Sequence, residues 1–342
     1  SGRLLVLHQP ALVDGWVKWA TDFSSTRSAA VLAVQSGNAG FVSEALSGTG
    51  CKVVELTAPD LLEYGSIDDI SLNKEKIGKL LERGWCFAPS AGGQKSGAEA
   101  SRAPDLLYEI LIKDVLLATE VRDIAKLIDI SLYLLESTGA TFSYSEMRQH
   151  GMGSIDKIRS FVGAVERAGL VSVVERLEDA GRDRNQARRT CFAFDTGFAA
   201  ALSRKELSEC QLFRTALYWS LRRRSRHVRI IHSRWGEGFL LWDHGGRIAV
   251  FDAVENPGRC RGKAFVRYLG AIGAARAIVL CSEDLDGVER EDCTVTFEDP
   301  WRWIQKPDIG SGYEGTENTA GRDATASRGE GEGDEPLPVH LL

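Results

Sequence analysis

Apolar and polar positions fall into three stretches of different rhythm. In the first hundred residues, short apolar runs at 4–7, 29–34 and 52–56 each lead into a mixed segment. Apolar runs alternating with amphipathic segments predict strands and helices of a parallel α/β sheet, here with only two or three strands. From residue 105 to 197 apolar residues recur every three or four positions. Leu106, Ile110, Val115, Ile124, Leu127, Ile130, Leu134 and Leu135 share one stripe, as a buried helical face requires. Within this stretch the pattern predicts a short helix at 143–150, a turn at 151–153 and a second helix at 154–168. Two β-rich runs follow at 170–177 and 190–194, parted by the Arg-rich GRDRNQARR. Helix, turn, helix and hairpin is the winged-helix order. The third stretch, 205–304, predicts a helix at 206–224, strands at 228–232, 239–242 and 248–254, a helix at 261–273 and a strand at 277–281.

With 342 residues the chain is too long for one ordinary core. A hydrophobic fraction of 43% and a charged fraction of 26% are those of a globular protein. No apolar run approaches the ~20 residues of a membrane span and no signal peptide opens the chain, so a cytoplasmic protein without a membrane partner is expected. The chain opens with Ser1 rather than Met, which reads as a fragment or a processed product. The net charge of −6 is unevenly spread, because residues 311–342 hold seven acidic side chains against two Arg. That Gly-, Ser-, Thr- and Glu-rich tail is expected to be disordered. Residues 88–103, APSAGGQKSGAEASRA, are a small-residue linker. The expected division is therefore 1–87, a linker at 88–104, 105–203, 204–306 and an acidic tail at 307–342. The seven cysteines show no CxxC pair and no Cys/His ligand spacing, so buried, reduced thiols and no metal centre are expected.

Three segments carry a more specific signal: LLVLHQPALVDGWVKWATDF, SGNAGFVSEALSGTGCKVVELTAPDLLEY and LLYEILIKDVLLATEVRD. In order and spacing they resemble the second half of a family of predicted bacterial and archaeal P-loop ATPases. That family belongs to the AAA+ superfamily and carries a C-terminal domain of unknown function. The resemblance runs from about residue 4 to 304 and implies a partial P-loop sheet, a helical and winged-helix middle and a restriction-endonuclease-like domain. It departs where the chemistry would be. Walker B needs an Asp for the water shell of Mg²⁺ and a Glu to activate water, but His8 and Gln9 stand there. Imidazole is a poor ligand for a hard cation. The sensor turn keeps only Asn38 to sense nucleotide, and a Gly-Arg pair has become Gly50-Cys51. The Walker A loop would lie upstream of Ser1, so no cofactor is expected unless that upstream part restores a site for ATP and Mg²⁺.

In the middle, Lys157 and Arg159 lie on the recognition helix that the pattern predicts, and Arg184, Arg188 and Arg189 lie on the wing. Cations so placed meet DNA phosphates through sequence-independent, salt-sensitive contacts. Residues 221–234, LRRRSRHVRIIHSR, hold six Arg and two His without an acid, and Arg222, Arg223 and Arg224 lead that patch. It suits a polyanion or an acidic protein. A nuclease site of the implied kind needs a Glu on the first helix, an Asp on the second strand and a Glu-x-Lys pair on the third, together binding Mg²⁺. Arg214 and Gly238 stand at the first two positions, and Asp252 alone remains at the third, where it reads as a solvent-facing strand end. Glu237 and Asp243 are the carboxylates near enough in sequence to rebuild the set.

The sequence is therefore read as a catalytically silent AAA+ ATPase-like scaffold for DNA or an acidic partner, with no catalytic residue and no metal. Two alternatives stand beside it. One is an ATP-binding AAA+ ATPase whose Walker A lies upstream; the other is a winged-helix DNA-binding regulator.

Overall fold

A computed structural model describes residues 4–8, 29–33, 74–84, 102–116, 123–177, 187–225, 227–243, 246–290 and 293–305. All of them fall in one compact unit, Ser1–Lys306. Gln9, Asn38, Arg184, the run at 52–56 and the tail at 307–342 lie outside the described residues.

The architecture is mixed α/β. Strands β1 (Leu4–His8) and β2 (Ala29–Ala33) pair in parallel, with His8 opposite Ala33. Helix α1 (Lys74–Arg83) follows, and then α2 (Ala103–Ile110), which runs on into a π-helical turn at Leu111–Leu116. Helix α3 (Ile124–Glu136) starts where the Asp123 carboxylate accepts from the Lys126 amide, satisfying one of the orphan donors of a first turn. It buries Leu127, Ile130, Leu134 and Leu135 as the pattern predicts, whereas Leu106 of α2, expected on the same stripe, is exposed.

Strand β3 (Thr141–Phe142), α4 (Tyr144–Gln149), α5 (Ile155–Arg167), β4 (Val171–Glu175) and β5 (Arg189–Ala193) come next. Ser143 and Glu146 form a reciprocal capping box at α4, and Ser154 caps α5. The strands make an antiparallel sheet in the order β3-β5-β4. Helix α6 (Thr196–Leu202) is capped by Asp195. Its Gly197 lets the end of α1 come close, since a Cβ there would collide with the Arg83 carbonyl.

Helix α7 (Glu209–Arg224) opens on a Ser208/Gln211 capping box. Residues 212 to 218 of α7 are all buried, because it is covered on two sides. Toward the small sheet, the Thr138 and Thr215 hydroxyls meet at 2.9 Å and Trp219 Nε1 donates to the Ala193 carbonyl at 2.7 Å. Toward the large sheet, the Tyr218 ring lies 6.4 Å from Phe239.

That large sheet contains β6 (Val228–Ser233), β7 (Gly236–Asp243), β8 (Gly246–Ala253), β9 (Ala274–Leu280), β10 (Val288–Arg290) and β11 (Cys293–Glu298), in the order β10-β11-β9-β8-β7-β6. The first three form an antiparallel meander. A 3₁₀ turn (Pro257–Arg261) and α8 (Lys263–Ala271) then carry the chain to β9, which is parallel to β8. Alternation along β7 sends Leu240 into the core with Phe265 and Leu269 of α8, while Phe239 faces α7. A single parallel bridge, Arg176 to Ile230, joins the two sheets edge to edge. The short α9 (Pro300–Trp303) closes the described chain, with Trp301 4.9 Å from Phe213 of α7.

Among the described residues, no helix is long and apolar enough to cross a membrane. Cys191, Cys260 and Cys293 are buried. Burial pushes the Cys191 thiol well above its usual range and that of Cys260 up to about 11, so neither is a ready nucleophile.

Candidate functional site

Three elements bring charged side chains into the interior at one point. Arg214 projects from the middle of α7 and is 8% exposed. Glu237 lies at the start of β7, beside a bulge, and Asp252 near the end of β8. Arg214 Nη1 donates to Glu237 Oε2 at 2.6 Å, and its Nε lies 3.5 Å from Asp252 Oδ2. The other oxygen of Glu237 is taken as well. Arg176 Nη2 donates to Oε1 at 3.1 Å, and His232 Nδ1 lies 2.7 Å from the same atom. Arg176 also donates to the Thr141 hydroxyl at 3.1 Å, so this cluster fastens the two sheets at the bridge between them.

The electrostatics follow from burial. The Asp252 side chain is 4% exposed. Burial pushes its carboxyl up to about 6, with the Arg214 guanidinium only partly offsetting the loss of water and Glu237 adding to the rise. Burial also raises Glu237, but Arg214, His232 and Arg176 together outweigh it and hold that carboxyl below its ordinary value. Arg214 Nε and Nη2, Arg176 Nε and Asp252 Oδ1 have no hydrogen-bond partner. The cluster is therefore charge-balanced but incompletely hydrogen-bonded, which is costly in an interior.

Asp252 was expected at the surface. It is buried instead, because β8 is covered by α7 on one face and α8 on the other. At Gly238 a Cβ would collide with the Val250 carbonyl, so no carboxylate fits there in this geometry. Its neighbour Glu237 supplies the acid instead. Asp243 ends β7, at the opposite end of the strand from Glu237.

A divalent ion does not fit these residues. Both carboxylates that converge here already meet a cation covalently tethered to α7, and a second cation beside Arg214 would be repelled. Among the described residues, no group of three His, Cys, Asp or Glu is placed to hold a metal. His8 is described only as the last residue of β1, and Gln9 and Asn38 are outside the described residues, so the nucleotide end of the resemblance has no side-chain geometry to weigh.

The cations expected to meet phosphate are spread over several elements. Lys157 on α5 lies 3.7 Å from Asp123, and Arg159 lies 3.3 Å from Asp156. Arg188 is 3.4 Å from Glu146. These exposed pairs are weak and compete poorly with a polyanion. Arg189 differs, being 4% exposed. It donates to Glu175 at 2.7 Å and to the Ala187 carbonyl at 2.8 Å, with its guanidinium 4.2 Å from the Tyr144 ring centre. Arg223 is exposed and Arg222 half-buried; Arg224 ends α7, its side chain outside the described set. Arg189 and Arg222 line one cleft of about 440 Å³, a meeting of wing and helix that spacing gave no means to see.

Residues 88–209 match a family described as a domain of unknown function (DUF8612). The match takes in α2 through α6 with the whole three-stranded sheet and stops as α7 begins. It therefore leaves out the Arg214 cluster except for Arg176 and Thr141. No curated protein and no solved structure matches the chain.

Proposed function

We propose that this chain is a catalytically silent AAA+ ATPase-like protein that works as a binding scaffold for DNA or an acidic protein partner. The observation that carries the reading is the Arg214 guanidinium held between Glu237 and Asp252. The order α7-β6-β7-β8-α8-β9, an antiparallel meander followed by a parallel crossover, supports a restriction-endonuclease-like reading of this half. In such a site, carboxylates on the helix and on the second and third strands hold Mg²⁺ and activate water. An arginine at the helix position replaces an acid with a cation and neutralises the acids that remain. What would be a metal site is then an internal ion-pair cluster that joins two sheets.

The binding half of the proposal rests on the middle of the chain. The order β3-α4-α5-β4-β5, with β5 central in its sheet, supports a winged-helix reading. Exposed Lys157 and Arg159 on α5 favour the second reading, a DNA-binding regulator, in the same place. ATP binding through an upstream Walker A remains the reading to test if nucleotide is found to bind.

The test is duplex DNA binding measured over a range of salt. Affinity should fall steeply as salt rises and should weaken when Arg222, Arg223 and Arg224 are neutralised together. No binding, or binding indifferent to salt, removes DNA as the partner. In the same samples, plasmid cleavage with Mg²⁺ that is lost in Asp252→Ala would overturn the silent reading.

A further inference from the structure

The cleft shared by Arg189 and Arg222 lies where the small sheet, the C-terminal end of α7 and the first residues of β6 meet. One wall is Ser172, Glu175 and Arg189 of β4 and β5; the other is Tyr218 and Arg222 of α7 with His227 and Arg229 leading into β6. Its volume of about 440 Å³ is in the range of small-molecule sites. The walls are held in place rather than loosely apposed. The Tyr218 hydroxyl and Ser172 Oγ are 2.7 Å apart, and the Tyr218 ring stacks on Phe192 with centroids 4.0 Å apart. The Arg222 guanidinium stands near the same hydroxyl and helps to hold its pKa down against burial. Arg189 is fixed by Glu175 and by the Tyr144 ring.

The charges in the cleft are divided. Glu175 is matched by Arg189. Glu166 is drawn inward, accepting from the Val173 amide at 2.9 Å, and burial raises its carboxyl above the ordinary range. Arg222, Arg229 and His227 line the opposite wall together with Tyr218. Two guanidiniums and an imidazole from two elements line one polar cleft, a donor set that suits a tetrahedral oxyanion.

We propose that this cleft binds the phosphate group of a nucleotide-sized ligand, with Arg222 and Arg229 as its principal donors and His227 beside them. The phosphate can come from a free mononucleotide or from a nucleic-acid strand, which present the same group. Because it spans the small sheet, α7 and β6, such a ligand would tie the DUF8612-matching part to the C-terminal sheet. The inference shares Arg222 with the DNA half of the proposed function but uses none of Arg214, Glu237 and Asp252, so the silent-site half stands or falls separately.

The test is calorimetric titration of the full chain with inorganic phosphate and with adenosine monophosphate, alongside anisotropy titration with a short labelled DNA strand. Adenosine monophosphate should bind with a dissociation constant of about 1 mM or tighter, and phosphate should compete with it. Arg222→Gln and Arg229→Gln should each weaken binding roughly tenfold or more. Arg222→Lys and Arg229→Lys should weaken binding less than the Gln variants do, and Lys113→Gln, an exposed residue outside the cleft, should leave it unchanged. Thermal melts of each variant show that the loss is not unfolding. Absence of binding by the unaltered chain overturns the proposal, and so does binding indifferent to Arg222→Gln combined with Arg229→Gln. If the strand binds and competes with adenosine monophosphate, nucleic acid is the source; if only the mononucleotide binds, a free metabolite is, and DNA falls as the scaffold's partner. If only the strand binds and does so regardless of Arg222→Gln combined with Arg229→Gln, the cleft proposal fails while the DNA reading stands; if its binding is lost in that double variant, nucleic acid is the source.

Discussion

Replacing Arg214 by Ala tests whether the guanidinium is what makes two buried carboxylates tolerable. Asp252 is the sensitive group. With its pKa moved from 3.8 to about 6, keeping it ionised in the folded chain costs about 3 kcal/mol above pH 6, from 1.36 kcal/mol per unit. The sign is fixed by proton binding. Between pH 4 and 6 the folded state holds the proton more tightly than the unfolded one, so stability is greatest below the unfolded value and falls as pH rises through 6. Removing Arg214 raises the Asp252 pKa further, and at high pH the side chain takes up a proton rather than remain a bare buried anion. That protonation caps the added cost at about 1 kcal/mol at pH 7 and about 3 kcal/mol at pH 8. At pH 5 Asp252 is already protonated in the unaltered chain, and its share of the loss vanishes. What remains there is the lost bond to Glu237 and the lost packing of the Arg214 stem near Phe239. Together these predict a destabilisation of about 3–5 kcal/mol near neutral pH, as for a buried pair missing one partner. Urea unfolding of both proteins at pH 5 and pH 8 measures it. A loss under about 1 kcal/mol, or one equal at the two pH values, would refute the reasoning.

Two further substitutions probe how the parts are fastened. Thr138→Val removes the hydroxyl that meets Thr215 and accepts from the Ala193 amide at 2.8 Å; an orphaned buried amide predicts a loss of about 1–3 kcal/mol in chemical unfolding. Gly197→Ala sets a Cβ against the Arg83 carbonyl, and about 1–3 kcal/mol of overpacking should appear as a lowered melting temperature, with protease cleavage near α1 as the local readout.

Local signals were legible in the sequence where the physics is local. The helices read at 143–150 and 154–168 are found, and Ser143 with Glu146 and Ser154 cap their starts. The strands at 228–232 and 248–254 were visible because apolar β-branched residues cluster there. Strands β10 and β11 were missed: Val288–Arg290 is too short for a pattern, whereas the strict apolar–polar alternation of Cys293–Glu298 was present in the sequence and was not used. The charged cluster was illegible for a different reason. Arg214, Glu237 and Asp252 lie on three elements, and their meeting depends on α7 lying across the sheet. Nothing in periodicity said that Asp252 turns inward, since β8 is covered on both faces and its polar residue looks like a strand end. The pairing of Arg189 with Glu175 likewise depends on strand register, which brings Glu175 opposite Arg189.

The claim that a tethered guanidinium stands where a divalent cation would otherwise be held is tested most directly by titrating the chain with Mn²⁺ in a calorimeter. The account predicts no saturable binding that depends on Glu237 or Asp252. Saturable Mn²⁺ uptake by the unaltered chain, abolished in Asp252→Asn, would contradict it.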